Sequence, residues 1–487
     1  MKKILTFSIL SAVAFSFTAC KKDFLETKPT AVVSTAPPEV RLNGLYLMTY
    51  QAGTGGTSGH TDFGQKNIDI CTDMLCGDMA LLGATYKHYQ TIANLTATER
   101  SDNNYNYIPW RYYYRLIYET NKSIAELASP KNDDEKYILA QFRALRGYAY
   151  FYLMQIFTTK YEPNSSTNSI PLYTTADIAS RPRVKQSEVY SLIVSDLEFA
   201  VANLAGFTRS KKGMIDKYVA EGLLAYTYAA MGNNQKVADL AQDIVNNSGY
   251  PLTTREQTVY DTDTKKGGGF NNIDTKSWMW GVDIITENDI SLRSWWGMID
   301  YYTYSYAWAG DRKAMDNKLY AQIRANDLRK KQFHPGLKMP LYKFFAPDRV
   351  AGGQRDVTTD YVYMRVDEFY LLAAEALAKL GQDAQAKAVY KRLLTQRYPE
   401  ATAATDVAYV DALTNAQLQD DIYLNTRIEL WGEGKSYLAM KRNHKTIERG
   451  SNHLEEKNKT FSYDNPRLTF AIPQNESINN LNSARNK

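Results

Sequence analysis

Two stretches of this chain repeat one another, and that repeat limits the possible folds more than any other feature. After Gly232, apolar residues fall at offsets of 5, 8, 9, 12 and 13: Val237, Leu240, Ala241, Ile244 and Val245. After Gly381 the same offsets hold Ala386, Val389, Tyr390, Leu393 and Leu394. Each glycine follows an Ala/Leu-rich helical pattern, over 220–231 or 369–380, and a proline, Pro251 or Pro399, closes each second pattern. Helix, glycine-marked turn, helix and closing proline is tetratricopeptide logic, in which small residues let paired helices approach closely. The rest of the chain agrees. Ile138, Phe142, Leu145, Ala149, Tyr152 and Ile156 follow spacings of 3 and 4, which places them on one helical face, and 111–128, 186–204 and 415–441 read similarly. The expected fold is mainly α: a tetratricopeptide-like scaffold, with helical repeats within about 40–250 and 361–441.

Between the repeats, 251–360 changes character and reads as a large irregular insertion with a few short strands. Helical periodicity fades, Gly267-Gly268-Gly269 appears, and five of the seven tryptophans gather: Trp278, Trp280, Trp295, Trp296 and Trp308. Tyr301, Tyr302, Tyr304 and Tyr306 lie among them. Over the whole chain there are 37 Tyr against 17 Phe. A ring with a polar tip suits half-wet surfaces and shallow binding faces, as well as helix seams. Irregular aromatic segments on a rigid scaffold are where binding residues tend to sit.

At 487 residues, 44% apolar and 23% charged, with a mean hydropathy of −0.46, the chain has ample core material for a soluble globular protein. Multi-span membrane, collagen-like and mostly disordered classes are excluded. A net charge of +5 gives no argument for nucleic-acid binding. The first residues read as an export signal: Lys2 and Lys3, an apolar run over 4–17, then Ala19 before Cys20. Phe17-Thr18-Ala19-Cys20 resembles a bacterial lipobox, so 1–19 is expected to be removed and Cys20 acylated. The mature charge is then +3, because the segment holds two lysines and no acids. Nothing else approaches a spanning helix, which leaves lipid as the only membrane anchor. The remaining cysteines, Cys71 and Cys76, could pair in an oxidising compartment, but sequence does not fix the geometry.

Catalytic signatures are missing. The five histidines, His60, His88, His334, His444 and His453, show no metal-binding spacing, and no G-x-S-x-G elbow occurs. Gly434-Lys435-Ser436 imitates the end of a phosphate loop, but Glu429 stands where its first glycine belongs. Asp261-Thr262-Asp263 opens like a calcium loop, yet Lys265 and Lys266 follow and Asn272 replaces the bidentate glutamate. The chain therefore reads as a non-enzyme with no metal and no cofactor.

Taken in order, the motifs resemble the SusD/RagB family of outer-membrane nutrient-binding lipoproteins, over nearly the whole chain. They begin with Cys20 and Asp23-Phe24-Leu25-Glu26, and continue through Gln141-Phe142-Arg143-Ala144-Leu145-Arg146-Gly147 and Ile170-Pro171-Leu172. The most specific are Arg365-Val366-Asp367-Glu368-Phe369-Tyr370, Arg427-Ile428-Glu429-Leu430-Trp431-Gly432-Glu433-Gly434 and Phe470-Ala471-Ile472-Pro473. The resemblance implies one SusD-like unit over 20–487, anchored by lipid at the cell surface of the outer membrane in a Bacteroidetes-like organism. It implies capture of a nutrient, an oligosaccharide or glycan, for a SusC-like TonB-dependent transporter. Peptide capture by the same architecture and a surface glycoside hydrolase are the alternatives. Arg143, Glu375, Glu429 and Trp431 are read as scaffold residues, as are the aromatics of 110–114. Ligand contacts are expected on early loops and in the insertion: Tyr86, Tyr89, Trp278, Trp295, Trp296, Tyr302 and Trp308, with only about a third of the seven facing ligand. The polar surroundings of Asn67 and Asp73 are the second choice.

Overall fold

Several of the scaffold's helices are capped by their own sequence. The computed structural model describes residues 36–482 except 166–167, 347–351 and 354, so Cys20 and the export signal lie outside the described residues. Its first long helices are α1 (Pro38–Met48), α2 (Gln65–Leu75), α3 (Asn104–Glu126) and α4 (Asp133–Phe157). Asn132 caps α4 by accepting from the Glu135 N–H at 2.8 Å, and Asp133, Asp134 and Glu135 fill the first turn, where acids favour the positive helix end. Phe142, Leu145, Ala149 and Ile156 of its stripe are fully buried. α3 starts at Asn104 rather than near 111, because Asn103 caps it and Pro109 removes one backbone bond without ending the helix.

Next come α5 (Gln186–Asn203), α6 (Lys217–Ala230), α7 (Asn234–Asn247), α8 (Asp367–Lys379) and α9 (Asp383–Thr395). The two repeats are the pairs α6/α7 and α8/α9, which turn at Gly232 (φ +75°) and Gly381 (φ +73°), a left-handed conformation that only glycine adopts freely. From α3 to α9 each helix packs against the next. α7 meets α8 directly, so the insertion leaves the scaffold and returns to it. The fold is mainly α-helical, as the periodicity predicts.

Short antiparallel pairs organise the insertion. β1 (Met79–Leu81) pairs with β5 (Lys313–Met315), Met79 opposite Met315, which joins an early loop to the insertion. β2 (Tyr260–Asp261) pairs with β3 (Lys266–Gly267) across the turn that resembles a calcium loop. There the Asp261 carboxylate accepts from the backbone N–H groups of Asp263 (2.9 Å) and Thr264 (3.2 Å), which is a turn-forming role. β4 (Trp278–Val282) pairs with β6 (Tyr361–Arg365) and leads the chain back into α8.

The expected helix over 415–441 is two helices, α10 (Asn415–Glu429) and α11 (Ser436–Arg442). Gly432 (φ +80°) and Gly434 (φ +71°) break it, and their N–H groups donate to Asp73 Oδ2 at 2.8 and 3.4 Å. The break turns Glu433 inward, beside Glu429, into a buried ionic cluster. Arg365 reaches Glu429 and Glu433 at 2.8 Å each, Lys343 reaches Glu433 at 2.9 Å, and Arg397 pairs with Glu429 at 2.8 Å and with Asp367. Arg143 and Arg146 share Asp196, both at 2.7 Å, Arg442 holds Glu375 at 2.8 Å, and the Trp431 indole donates to the Asp78 carbonyl at 2.8 Å. These motif residues therefore bind helices to one another. Among the described residues no helix is long and apolar enough to cross a membrane.

Candidate functional site

The segment from Tyr302 to Trp308 alternates large aromatic and small residues, and the fold uses that alternation. Thr303, Ser305 and Ala307 are buried, while Tyr302, Tyr304, Tyr306 and Trp308 lie at least partly in the open. The small polar residues are held inward: Thr303 Oγ1 donates to Asp300 Oδ2 at 2.9 Å and Ser305 Oγ to the Leu292 carbonyl at 2.8 Å. Tyr304 and Ser305 form a turn and Tyr306–Ala309 a single helical turn, with the small residues between the rings anchored inward.

The β1–β5 pairing brings a second loop alongside. Asp311, fully buried, accepts from the Tyr86 N–H at 2.9 Å and the His88 N–H at 3.0 Å. Lys87 and Tyr89, on either side of His88, both sit at φ +63°, a conformation non-glycine residues rarely hold without a fixed surrounding. Tyr306 is the meeting point. Its ring packs edge-on against Tyr86 at 5.4 Å and His88 at 4.1 Å, and its hydroxyl shares a hydrogen bond with His60 Nδ1. His60 stacks on His88 at 6.3 Å, and belongs to a third loop, over 53–62, tied by Asp62 to the N–H groups of Gly55 (2.7 Å) and Thr57 (2.9 Å). On the other side Trp308 packs on Tyr304 at 5.4 Å, and the Arg355 guanidinium lies 3.9 Å over the Tyr304 ring. Burial lowers the His88 pKa against the opposing pull of Asp311, and burial raises that of Tyr306, so both tend to stay neutral.

This face offers ring surfaces with hydrogen-bonding tips at their edges. Tyr86 is 57% exposed and Trp308 38%, and Tyr302 is half-buried beside Tyr301 at 5.8 Å. Four other expected ligand residues are removed from it. Tyr89, Trp278, Trp295 and Trp296 are buried at 2% exposure or less. The Tyr89 hydroxyl donates to Asn67 Oδ1 at 2.9 Å, Trp278 Nε1 to the Gly269 carbonyl at 2.9 Å and Trp296 Nε1 to the Thr359 carbonyl at 2.7 Å. Trp295 stands perpendicular to Trp296 at 4.9 Å and packs on Phe344. Large rings gain most from leaving water, and these four have done so. Asn67 and Asp73, in α2, are buried too, and Cys71 and Cys76 are buried free thiols. The sequence reading missed His60, His88 and Arg355 as members of the face, and named Tyr304 and Tyr306 only as neighbours. The alternation over 302–308 could have found the tyrosines; nothing local marks the histidines.

Larger concavities lie outside the face. One of about 550 Å³ adjoins the β2–β3 turn, one of about 660 Å³ lies along α5 and α6, and one of about 550 Å³ runs along α3. Among the described residues no group of three or more His, Cys, Asp or Glu is placed to hold a metal ion.

Residues 23–228 match a family model described as starch-binding associating with outer membrane, and 220–482, more than half of the chain, match the model of the SusD family. The chain belongs to the SusD family. It is 23% identical over 462 residues to SusD-like protein P2 of Formosa agariphila, covering 86% of this chain and 87% of that one. A SusD-like protein of Bacteroides ovatus is 29% identical over 155 residues, covering 29% of this chain and 26% of that one. Among solved structures, a SusD-like carbohydrate binding protein from Bacteroides vulgatus superposes with a TM-score of 0.75 at 23% identity, over 92% of this chain and 96% of that one. A SusD superfamily protein from Bacteroides thetaiotaomicron gives 0.75 at 21%, over 92% and 99%. These likenesses show that the scaffold is the SusD fold; the aromatic face is read from this chain's own residues.

Proposed function

We propose that this SusD-family protein captures an oligosaccharide or glycan at the cell surface, without cleaving it, and passes it to a SusC-like TonB-dependent transporter in the outer membrane. The lipid on Cys20 would keep it at that membrane. The observation that carries the reading is the convergence of three loops on Tyr306, which sets His60, His88 and the exposed Tyr86 around its ring. A sugar ring has apolar C–H faces that stack on aromatic rings and rim hydroxyls that need donors and acceptors, and this face supplies both. Lipid tethering raises the effective concentration of capture protein and transporter for each other. The family description as starch-binding and the carbohydrate-binding description of the Bacteroides vulgatus structure support the ligand class. Incubating the purified protein with a glycan panel tests the reading. Binding with no released sugar supports capture; release of shorter sugars, or no binding to any glycan, overturns it.

A further inference from the structure

The outward face of α3 carries a second arrangement suited to a hydroxyl-rich chain. Tyr107, Arg111, Arg115 and Tyr118 recur at offsets of 4, 8 and 11, which puts them on one side of the helix, and they line the groove of about 550 Å³ whose far wall includes Tyr173. Tyr118 is 39% exposed, and Tyr107 and Tyr173 are half-buried. Arg111 and Arg115 are exposed, and among the described residues neither guanidinium has an ion pair or hydrogen bond. Two acids of the groove are already engaged. Asp177 is held by Arg181 at 2.6 Å, and Glu476 accepts from Trp110 Nε1 at 3.2 Å and from Asn480 Nδ2 at 2.7 Å. Glu119, one turn beyond Arg115, also lines the groove. The groove thus combines ring faces, two unengaged guanidinium donors and a carboxylate acceptor, a set that matches the faces and vicinal hydroxyls of a saccharide.

One loop connects this groove to the aromatic face. The 53–62 loop is closed at its base by the Gly53 N–H donating to the Asp62 carbonyl at 2.8 Å. Near its middle Gly56 lies against α3, where a Cβ would come within 3.1 Å of Arg111 Cγ. Four residues on, His60 meets Tyr306. Four residues of chain span at most about 14 Å, so the two sites are close neighbours along this loop.

We propose that the α3 groove is a second saccharide subsite, and that one oligosaccharide long enough to pass the 53–62 loop occupies groove and aromatic face together. The inference rests on the glycan-capture reading. Joining two weak sites through one ligand makes the second contact intramolecular, so affinity climbs with chain length once both are reached.

Titration calorimetry with malto-, xylo-, manno- and galacturono-oligosaccharides, each as tetramer and octamer, tests this on wild type and on an Arg115→Ala/Tyr118→Ala double variant. In a series that binds, the octamer is expected to bind about tenfold or more tighter than the tetramer in wild type. In the double variant that ratio is expected to collapse towards one, and a single Arg111→Gln change, which keeps most of the side chain's bulk, is expected to reduce it. A ratio that survives both variants, or no gain with length in wild type, overturns the second subsite. If tetramers bind and Tyr306→Ala weakens that binding while the length gain is absent, only this inference fails. If no series binds, the glycan-capture reading fails with it.

Discussion

Tyr306 is the residue on which the aromatic face depends, since its ring touches Tyr86 and His88 and its hydroxyl meets His60. Replacing it by alanine removes a stacking surface and leaves the two loops without their common contact. Tyr306→Ala is expected to cost about 1–3 kcal/mol of glycan affinity, the scale of a base stacked on an aromatic side chain, with little change in melting temperature. Tyr306→Phe keeps the ring and loses the His60 bond, and is expected to cost less; titration calorimetry against one bound glycan checks both. The residue scale is also where sequence told least. Trp278 and Trp296 look like the best stacking residues on paper, yet burial is worth most to just such side chains, and each finds a backbone carbonyl for its indole N–H. No local signal separates an inward from an outward tryptophan in an irregular segment. From Tyr302 to Trp308 the small residues Thr303, Ser305 and Ala307 are the buried ones, but a turn and then a helical turn over Tyr306–Ala309 set that facing, not a strand period.

At the scale of elements, helix periodicity and turn glycines were legible because they are local. The stripe from Phe142 to Ile156 is buried as read, and Gly232 and Gly381 sit at the turns they mark. Gly381 has φ +73°, and a Cβ added there would meet nothing within 4 Å, so an alanine suffers no clash and only the backbone penalty of a left-handed residue. Gly381→Ala is expected to lower stability by about 1–2 kcal/mol, and Gly381→Asn by less, measured by urea unfolding. Equal stability of all three proteins would contradict the turn's role. The helix expected over 415–441 shows where local reading ends. Its break at Gly432 and Gly434 serves contacts with Asp73 and, through Glu433, with Arg365 and Lys343, partners far away in sequence.

Across the whole molecule, the buried cluster of Arg329, Arg365, Arg397, Lys343, Asp327, Asp367, Glu429 and Glu433 ties the insertion and α8 to the segment between α10 and α11. Burial pushes the Glu433 carboxyl up, but Arg365 and Lys343 outweigh it and hold its pKa down at about 2, below the ordinary 4.5. Its contribution to stability is therefore complete above about pH 4.5 and is lost as pH falls towards 2. Glu433→Gln strands buried cations and is expected to cost about 3–5 kcal/mol at neutral pH. It is also expected to flatten the loss of stability between those two pH values, which denaturant unfolding at stepped pH reads out. An unchanged acid profile would show that Glu433 does not carry that loss.

Hydrogen–deuterium exchange with and without a saturating bound glycan tests the central claim most directly, because it locates the ligand on the folded protein without any substitution. Capture at the aromatic face predicts slowed exchange in three segments together, 53–62, 82–89 and 301–311, which meet at Tyr306. Protection confined to the concavity beside the β2–β3 turn or to the one along α5 and α6, with those three segments unchanged, would contradict it.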